Sequence, residues 1–196
     1  MSTESSDITQ MLVDRVRKGD QQSMYRLYKM YVQAMYNVSI RIVSNQLDAE
    51  DILQESFASA FGNLKTYNGE ASFGAWLKRI VINKSINHVK KQKTGWIDTD
   101  CLPEAEDIPD ENDFSDDDLF ADISPEMIHE AIKTLPGKAK MVFNLYLLED
   151  YPHKDIARML DISESTSKSQ YQRARKLLQE RILRMINDKG IKKIKR

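Results

Sequence analysis

The chain has 196 residues, which is long for one helical domain and comfortable for two small ones. Its hydrophobic content of 41% is enough to build cores and excludes a wholly disordered chain. The net charge of −1 hides three segments: net +4 over residues 1–97 (13 basic, 9 acidic), −12 over 98–122 (none basic, 12 acidic) and +7 over 123–196 (16 basic, 9 acidic).

Residues 1–97 show helical periodicity throughout, and we predict four helices in them. The predicted boundaries are an end of the first helix at Gly19, a cap of the second at Asp20, a start of the third at Asp48 and a cap of the fourth at Ser72, with its end near Gln92. The loop before the fourth helix contains Asn68-Gly69, which breaks the pattern. The predicted apolar stripes are, in chain order, Ile8, Met11, Leu12 and Val16; Met24, Leu27, Tyr28, Tyr31, Met35 and Tyr36; Ile52, Leu53, Phe57 and Phe61; and Phe73, Trp76, Leu77, Ile80, Val81 and Ile86.

Residues 98–123 are predicted to form a flexible acidic linker, because they have no sustained hydrophobic period and contain two prolines. A second helical block starts at Ser124-Pro125, a cap residue followed by proline at the first helical position. We predict a helix to about Leu135, a turn at Pro136-Gly137, and a more apolar helix with Val142, Phe143, Leu145, Tyr146 and Leu148. The predicted fold is therefore all-α, with two small helical domains, residues 1–97 and 124–196, joined by the linker 98–123.

The clearest local pattern is a helix-turn-helix between Tyr151 and Glu180. Pro152 opens a short helix, whose small Ala157 suits the close approach of two steeply crossing helices. A turn from Asp161 to Ser163 follows, and Ser163 can cap the second helix. The inward positions are Ile156, Ala157 and Leu160 in the first helix, and Ser167, Tyr171, Ala174, Leu178 and Ile182 in the second.

The opposite face of the second helix is rich in hydrogen-bond donors. Lys and Arg can bind phosphates or guanine, Gln can pair with adenine, and hydroxyls at a helix start can meet base edges or the backbone. A basic solvated helix in an ordinary bundle is the alternative, but the short helix, turn and cap that precede it favour DNA binding. The candidate DNA-binding residues are Ser165, Thr166, Lys168, Ser169, Gln172, Arg173, Arg175 and Lys176.

These motifs resemble those of bacterial RNA polymerase sigma factors. The second block is similar to region 4 in Leu135-Pro136, Val142-Phe143, Asp155-Ile156-Ala157, Ile162-Ser163, Thr166 and Arg173-Ala174-Arg175. The first block is similar to region 2 in the segment from Asp48 to Glu55 and in Ala71-Ser72-Phe73, Trp76-Leu77, Arg79-Ile80 and Asn83. Without a region 1 or a folded region 3, the layout resembles the extracytoplasmic-function (ECF) subfamily.

The resemblance implies a factor that binds core RNA polymerase, at its clamp helices and flap, recognises the −35 and −10 promoter elements and aids promoter melting. The implied polymerase contacts are Asp48, Asp51, Gln54 and Glu55. The resemblance implies that the −35 element is recognised by the helix-turn-helix residues above, mainly Lys168, Ser169, Gln172 and Arg173. The implied −10 contacts are Asn68, Gly69, Ser72, Trp76, Arg79, Asn83, Lys84, Asn87, His88 and Lys91, of which Asn68 to Ser72 would hold a flipped base. Trp76 stands at a stripe position, where a tryptophan is more often a core residue than a stacking platform, and both roles stay open.

Three positions depart from the family pattern. Asp161 replaces a common glycine in the turn, Ser167 replaces an inward valine, and Gln170 replaces a common arginine. We expect Ser167 to weaken an apolar contact between the two helices. We expect Gln170 to alter promoter preference.

Two further hypotheses concern the linker and the partners. The twelve carboxylates of the linker either mimic RNA phosphates in a basic channel of the polymerase or serve as a solubilising spacer. An anti-sigma protein is compatible with the resemblance, although no residue here identifies one. The polar N-terminus lacks an export signal and no apolar run approaches the roughly 18 residues of a membrane span, so we expect a cytoplasmic protein without membrane insertion.

Two other classes of protein fit less well. An enzyme is not indicated, because the three histidines are widely separated, a phosphate-binding glycine loop is missing, and the single Cys101 excludes a disulfide or a cysteine cluster. We therefore expect no catalytic residues, metal or cofactor. An ordinary repressor would bind duplex operator alone, usually as a dimer, but the first block has neither a ligand-pocket pattern nor a coiled-coil heptad.

Overall fold

The computed structural model describes residues 2–92 and 124–188, with side chains from 7 to 92 and from 124 to 186. The chain divides into two compact units, residues 1–96 and 97–196. Within the described ranges every regular element is helical, which confirms the all-α prediction. The predicted linker, residues 98–123, lies outside the described residues, so the predicted domain limits stay predictions.

Within residues 2–92 the first unit contains four helices, α1 (Ser2–Arg17), α2 (Gln21–Val43), α3 (Gln46–Gly62) and α4 (Phe73–Gln92), with a 3₁₀ turn at Leu64–Thr66. Asp20 caps α2 as predicted, since its carboxylate accepts the backbone N–H groups of Gln22 and Ser23. The predicted start of α3 at Asp48 was wrong by two residues. Asn45 is the cap, and its side-chain oxygen accepts the N–H of Asp48.

The core of this unit lies between α2, α3 and α4, with α1 packed against α2. Fully buried side chains include Leu27 of α2, Phe73 and Leu77 of α4 and Val13 of α1. The predicted stripe of α1 was wrong at Ile8 and Met11, which are 51% and 45% exposed. The buried face is rotated by about one residue and consists of Thr9, Leu12, Val13 and Val16, with the Thr9 hydroxyl 3.4 Å from the Tyr31 hydroxyl of α2.

The second unit contains α5 (Pro125–Lys133), α6 (Gly137–Phe143), α7 (His153–Leu160) and α8 (Glu164–Asp188). Ser124 caps α5 and Pro125 follows it, as predicted, but α5 ends two residues before Leu135. The predicted apolar helix also differs, because it changes at Asn144 from α-helix to a π-helical turn, Asn144–Leu148. The wider π turn closes with the N–H of Glu149 on the carbonyl of Asn144, 3.1 Å away.

The longest helix, α8, packs against α5, α6 and α7 and supplies the central stripe of the second unit. The whole predicted stripe is buried, from Ser167 and Ala174 at 0% exposed to Tyr171 at 5%. It packs with the buried Phe143, Leu145 and Ile156 in the core. Across residues 2–92 and 124–188, no helix combines the length and the apolar character that a bilayer span requires.

Candidate nucleic-acid interface

The helix-turn-helix consists of α7, the turn Asp161–Ser163 and α8. Asp161 lies in the left-handed region, with φ 59° and ψ 51°, and its N–H donates to the carbonyl of Ala157. A side chain in this region costs free energy that glycine avoids, although Asp tolerates it better than most residues. The turn therefore keeps the tight geometry of the motif at a conformational cost.

Ser163 organises the first turn of α8. Its Oγ accepts the N–H of Thr166 at 2.9 Å and lies 2.8 Å from the hydroxyl oxygens of both Ser165 and Thr166. The Ser169 hydroxyl donates to the carbonyl of Thr166 at 3.0 Å. The three predicted DNA-binding hydroxyls thus already take part in hydrogen bonds at the helix start.

The basic residues of α8 differ in how far they project. Lys168 and Lys176 are exposed, and the ammonium of Lys168 pairs with the Glu164 carboxylate at 3.1 Å, one turn earlier. The guanidinium of Arg175 lies over the ring of Tyr171, 5.9 Å from its centre, so Arg175 flanks the buried stripe. Ser169, Gln172 and Arg173 are half-buried on the remaining surface. A donor-rich surface, separate from the buried stripe, is therefore formed by Lys168, Ser169, Gln172, Arg173 and Lys176.

A polar contact joins α7 to α8. Nδ1 of His153 lies 2.9 Å from Oγ of Ser167, and Ser167 is completely buried. The ring of His153 stacks on Tyr146, with centroids 4.3 Å apart and an angle of 11° between the planes. Burial, and after it the positive charge of Lys168, lower the pKa of His153 below its ordinary value, so the ring is neutral at pH 7.

In the first unit, the loop between the 3₁₀ turn and α4 is held by Tyr67. The hydroxyl of this buried residue donates to the carbonyl of Ala71 at 2.9 Å. The backbone carbonyl of Tyr67 accepts a hydrogen bond from the guanidinium of Arg17. Burial raises the pKa of Tyr67, which keeps it protonated as a donor. Between these anchors Gly69 adopts φ 82°, and the Asn68 side chain accepts the N–H of Glu70. The loop therefore projects the exposed Asn68 to Ser72 from a fixed base.

Trp76 is half-buried at the base of this loop. Its ring lies 5.3 Å from Tyr67 and 5.7 Å from Phe73, centre to centre. One side of the indole therefore packs on the core, while part of it stays accessible. This position is compatible with both roles that the sequence left open.

The remaining candidates on α4 fall on two faces. Arg79, Asn83, Asn87 and Lys91 are exposed at intervals of four residues and form one row, the α4 outer row. Lys84 and His88 instead face α3, where Lys84 pairs with Glu55 and His88 pairs with Asp48, each at 3.3 Å. The structure thus brings two predicted DNA contacts together with two predicted polymerase contacts. Asp51 and Gln54, the other two predicted polymerase contacts, are exposed on α3.

The comparisons with known proteins agree with this architecture. Residues 27–94 match the family described as Sigma-70 region 2, and residues 126–178 match Sigma-70, region 4, so the two matches cover more than half of the chain. Over 179 residues the chain is 28% identical to the ECF RNA polymerase sigma-E factor of Haemophilus influenzae, covering 88% of this chain and 94% of that one. The chain belongs to the ECF sigma factors.

Other relatives support the same family. RNA polymerase sigma-H factor of Pseudomonas aeruginosa is 28% identical, with 96% of this chain and all of that protein covered. The sigma factor RpoE of Bartonella quintana, solved with the anti-sigma factor NepR, has a TM-score of 0.52 at 21% identity, with 82% of this chain and 96% of that chain covered, and it supports the fold. As an ECF sigma factor the protein binds core RNA polymerase and directs promoter-specific initiation; it is not an enzyme.

Sequence reasoning missed two side chains that shape the candidate surfaces of this sigma factor. Tyr67 anchors the loop, yet its long-range contact with Arg17 has no local signal in the sequence. His153 was considered only as a metal ligand, whereas it pairs with Ser167. The sequence does signal that Ser167 needs a polar partner, since a serine at an inward helical position requires one when it is buried, but it does not identify His153 as that partner.

Proposed function

We propose that the sigma factor divides promoter recognition between its two units, with α8 reading the −35 duplex and with α4 and the 67–72 loop engaging the −10 element. The observation that carries the proposal is the arrangement of α8, whose complete inward stripe is buried while donors on another face are presented by Lys168, Gln172, Arg173 and Lys176. A helix of this kind, preceded by a short helix and a tight turn, suits insertion into a major groove.

On the −35 duplex, we expect Gln172 and Arg173 to contact base edges, and Lys168 and Lys176 to contact phosphates. Lys168 already pairs with Glu164 at 3.1 Å, but both side chains are largely exposed, so the pair adds little stability and a phosphate can displace the carboxylate. The serine and threonine hydroxyls at the start of α8 serve mainly to cap the helix. Their backbone N–H groups lie near the positive end of the helix dipole, which favours a phosphate.

At the −10 element, the fixed loop and the α4 outer row have complementary tasks. The loop, with exposed Asn68 and Ser72, is suited to hold a base that has left the stack, and Trp76 lies at its base. The row from Arg79 to Lys91 is suited to follow the backbone and base edges next to the melted bases, because two of its four side chains are basic and two are amides.

For the polymerase, we propose that Asp51 and Gln54 make the direct contacts. Asp48 and Glu55 are paired with His88 and Lys84 across the α3–α4 interface, so their first role is to orient those two side chains. This divides the four predicted polymerase contacts into an outward pair and a bridging pair. Since polymerase is a cytoplasmic enzyme, the proposal also places the sigma factor in the cytoplasm.

An in vitro transcription experiment tests the division of labour. The full chain is added to core RNA polymerase and a pool of genomic fragments, and the start sites are sequenced to define both promoter elements. We expect Gln172→Ala to relax the preference at one −35 position and Asn83→Ala to weaken initiation through the −10 element. Gln179→Ala, an exposed glutamine later on α8, is the matched control and should leave both preferences intact. Promoter preferences unchanged by Gln172→Ala, Lys168→Ala and Arg173→Ala together would remove α8 from −35 recognition.

An anti-sigma protein is the second partner that we propose. The Bartonella quintana RpoE structure, similar in fold, contains the anti-sigma factor NepR. A protein that inhibits this sigma factor should abolish its promoter-specific transcription and should be displaced by excess core polymerase. Inhibition that persists at any polymerase concentration would argue against competition for the same surfaces.

A further inference from the structure

The contact between His153 and Ser167 joins the two helices of the helix-turn-helix near the start of α8. Ser167 is 0% exposed, and the atoms that join it to His153 are 2.9 Å apart. Lys168, a proposed phosphate contact, follows directly, and Gln172 and Arg173, the proposed base contacts, lie within two turns on the same helix. A constraint on Ser167 is therefore a constraint on the position of those contacts.

The histidine ring is itself fixed from two sides. It stacks face to face on Tyr146 of the π-helical turn at 4.3 Å and meets Tyr171 of α8 edge-on, with centroids 5.8 Å apart. Tyr146 also touches Tyr171, at 4.6 Å. The ring cannot swing away without losing these aromatic contacts, so Nδ1 stays directed at α8.

An apolar contact at this position would resist separation of the two helices, but it would resist rotation of α8 about its own axis only weakly. A hydrogen bond is directional, and it loses strength steeply when its angle changes. Side-chain ends lie about 5–6 Å from a helix axis, so a rotation of about 20° moves them by about 2 Å. A movement of that size separates a side chain from a base edge.

We propose that His153 and Ser167 form a polar latch that sets the rotation of α8 and so positions Gln172 and Arg173 for −35 discrimination. Both are positioning residues, because they act through the recognition helix. The inference rests on the proposed role of α8 in reading the −35 element. It also gives a function to Ser167, which departs from the family's inward valine, because its hydroxyl replaces an apolar contact by a directional hydrogen bond.

A double-mutant cycle in the holoenzyme tests the latch. The variants are Ser167→Ala, His153→Phe, which keeps an aromatic ring between Tyr146 and Tyr171, and the double variant. The measurement is the ratio of Kd values for a duplex with the preferred −35 element, found by selection with the wild-type holoenzyme, and for duplexes with single base changes in it. We expect each single variant to lower this ratio about tenfold, the scale of one hydrogen bond, and the double variant to lower it no further.

Two controls are needed. The first distinguishes the latch from a general loss of stability, and the second distinguishes failure of the latch from failure of the proposed function. Ser39→Ala removes another completely buried, hydrogen-bonded serine, in the first unit, and should leave the ratio unchanged. Gln172→Ala tests whether α8 reads the element at all. If Gln172→Ala relaxes the preference while Ser167→Ala and His153→Phe do not, the latch is wrong and the proposed function stands; if none of them changes the preference, the proposed function fails first. Additive losses in the double variant, or losses matched by a lower thermal midpoint, would reduce the pair to a structural role.

Discussion

The two helices proposed to contact DNA, α4 and α8, differ in where the acidic partners of their side chains come from. In α4 the side chains of Lys84 and His88 contact Glu55 and Asp48 of the neighbouring helix α3. In α8 the cation Lys168 is paired with Glu164 of its own helix. The electrostatics of α4 thus depend on tertiary structure, whereas those of the start of α8 are largely local.

This difference explains why α8 is easier to interpret from sequence. Its buried stripe and its donor-rich face follow from the helical period alone, and every predicted inward residue is buried. In α4, by contrast, the period separates buried from exposed positions but cannot show that α3 supplies partners for two of them. The following predictions test how independent the two units are, in order of decreasing effect.

The largest effect should come from a core substitution confined to one unit. Phe143→Ala removes a side chain that is 1% exposed, and we expect the second unit to lose about 3–5 kcal/mol of unfolding free energy. In a Trp96→Phe background, which leaves Trp76 of the first unit as the single tryptophan, the fluorescence transition should be kept, while circular dichroism should show an earlier loss of helix. Phe73→Ala, equally buried in the first unit, is the counterpart and should move the Trp76 transition. Equal shifts of both signals in both variants would show that the units unfold together.

A smaller gain should follow from relieving one left-handed residue in each unit. Asp161 has φ 59° and Ser44 has φ 60°, and both end helices. Asp161→Gly and Ser44→Gly should each stabilise their own unit by up to about 1 kcal/mol in denaturant titrations. Thr134→Gly, at a right-handed helix end, is the control and should destabilise instead. A loss of stability in Asp161→Gly would mean that its side chain contributes more than its backbone conformation costs.

The elements that the sequence predicted correctly are those governed by local rules. Asp20, Ser72 and Ser163 cap helices as expected, because a capping oxygen acts within three residues of its own position. One error, the start of α3, is itself local, because Asn45 caps that helix through the N–H of Asp48. Others lie where distant residues decide. The buried face of α1 is rotated because it must fit α2, so Ile8 and Met11 are exposed.

The candidate site shows the same division. The donor-rich face of α8 could be predicted, but the partner of Ser167 could not, because His153 is 14 residues away and reaches it only through the turn. The π-helical turn that supplies Tyr146 was likewise missed, since hydrophobic periodicity does not distinguish it from a continuing α-helix. Packing of His153 on that turn is what makes the latch possible.

A pH effect should distinguish the second unit from the first. Burial and the nearby Lys168 lower the pKa of His153 below 6.5, against the smaller opposing influence of Glu164; Tyr146 and Tyr171 are the other titratable groups that face the ring. The unfolded state therefore binds more protons than the folded state just below pH 6.5. The corresponding stability is complete above about pH 6.5 and is lost as the pH falls through the folded pKa. Circular dichroism melts of His153→Phe should lack this decline, and an identical decline in wild type and variant would assign it to other groups.

The smallest effect on stability should come from the ion pairs between α3 and α4, and it is the most informative about α4. Asp48 is 23% exposed and its partner His88 30%, so we expect Asp48→Asn to cost the first unit no more than about 0.5 kcal/mol in denaturant titrations. Asp51→Asn, on the exposed side of the same helix, should leave stability unchanged but weaken binding to core polymerase. If Asp48→Asn instead weakens polymerase binding as much as Asp51→Asn, both carboxylates face the polymerase. The pair with His88 then exists only in the free protein, and polymerase binding itself would release the His88 side chain of α4 towards the promoter.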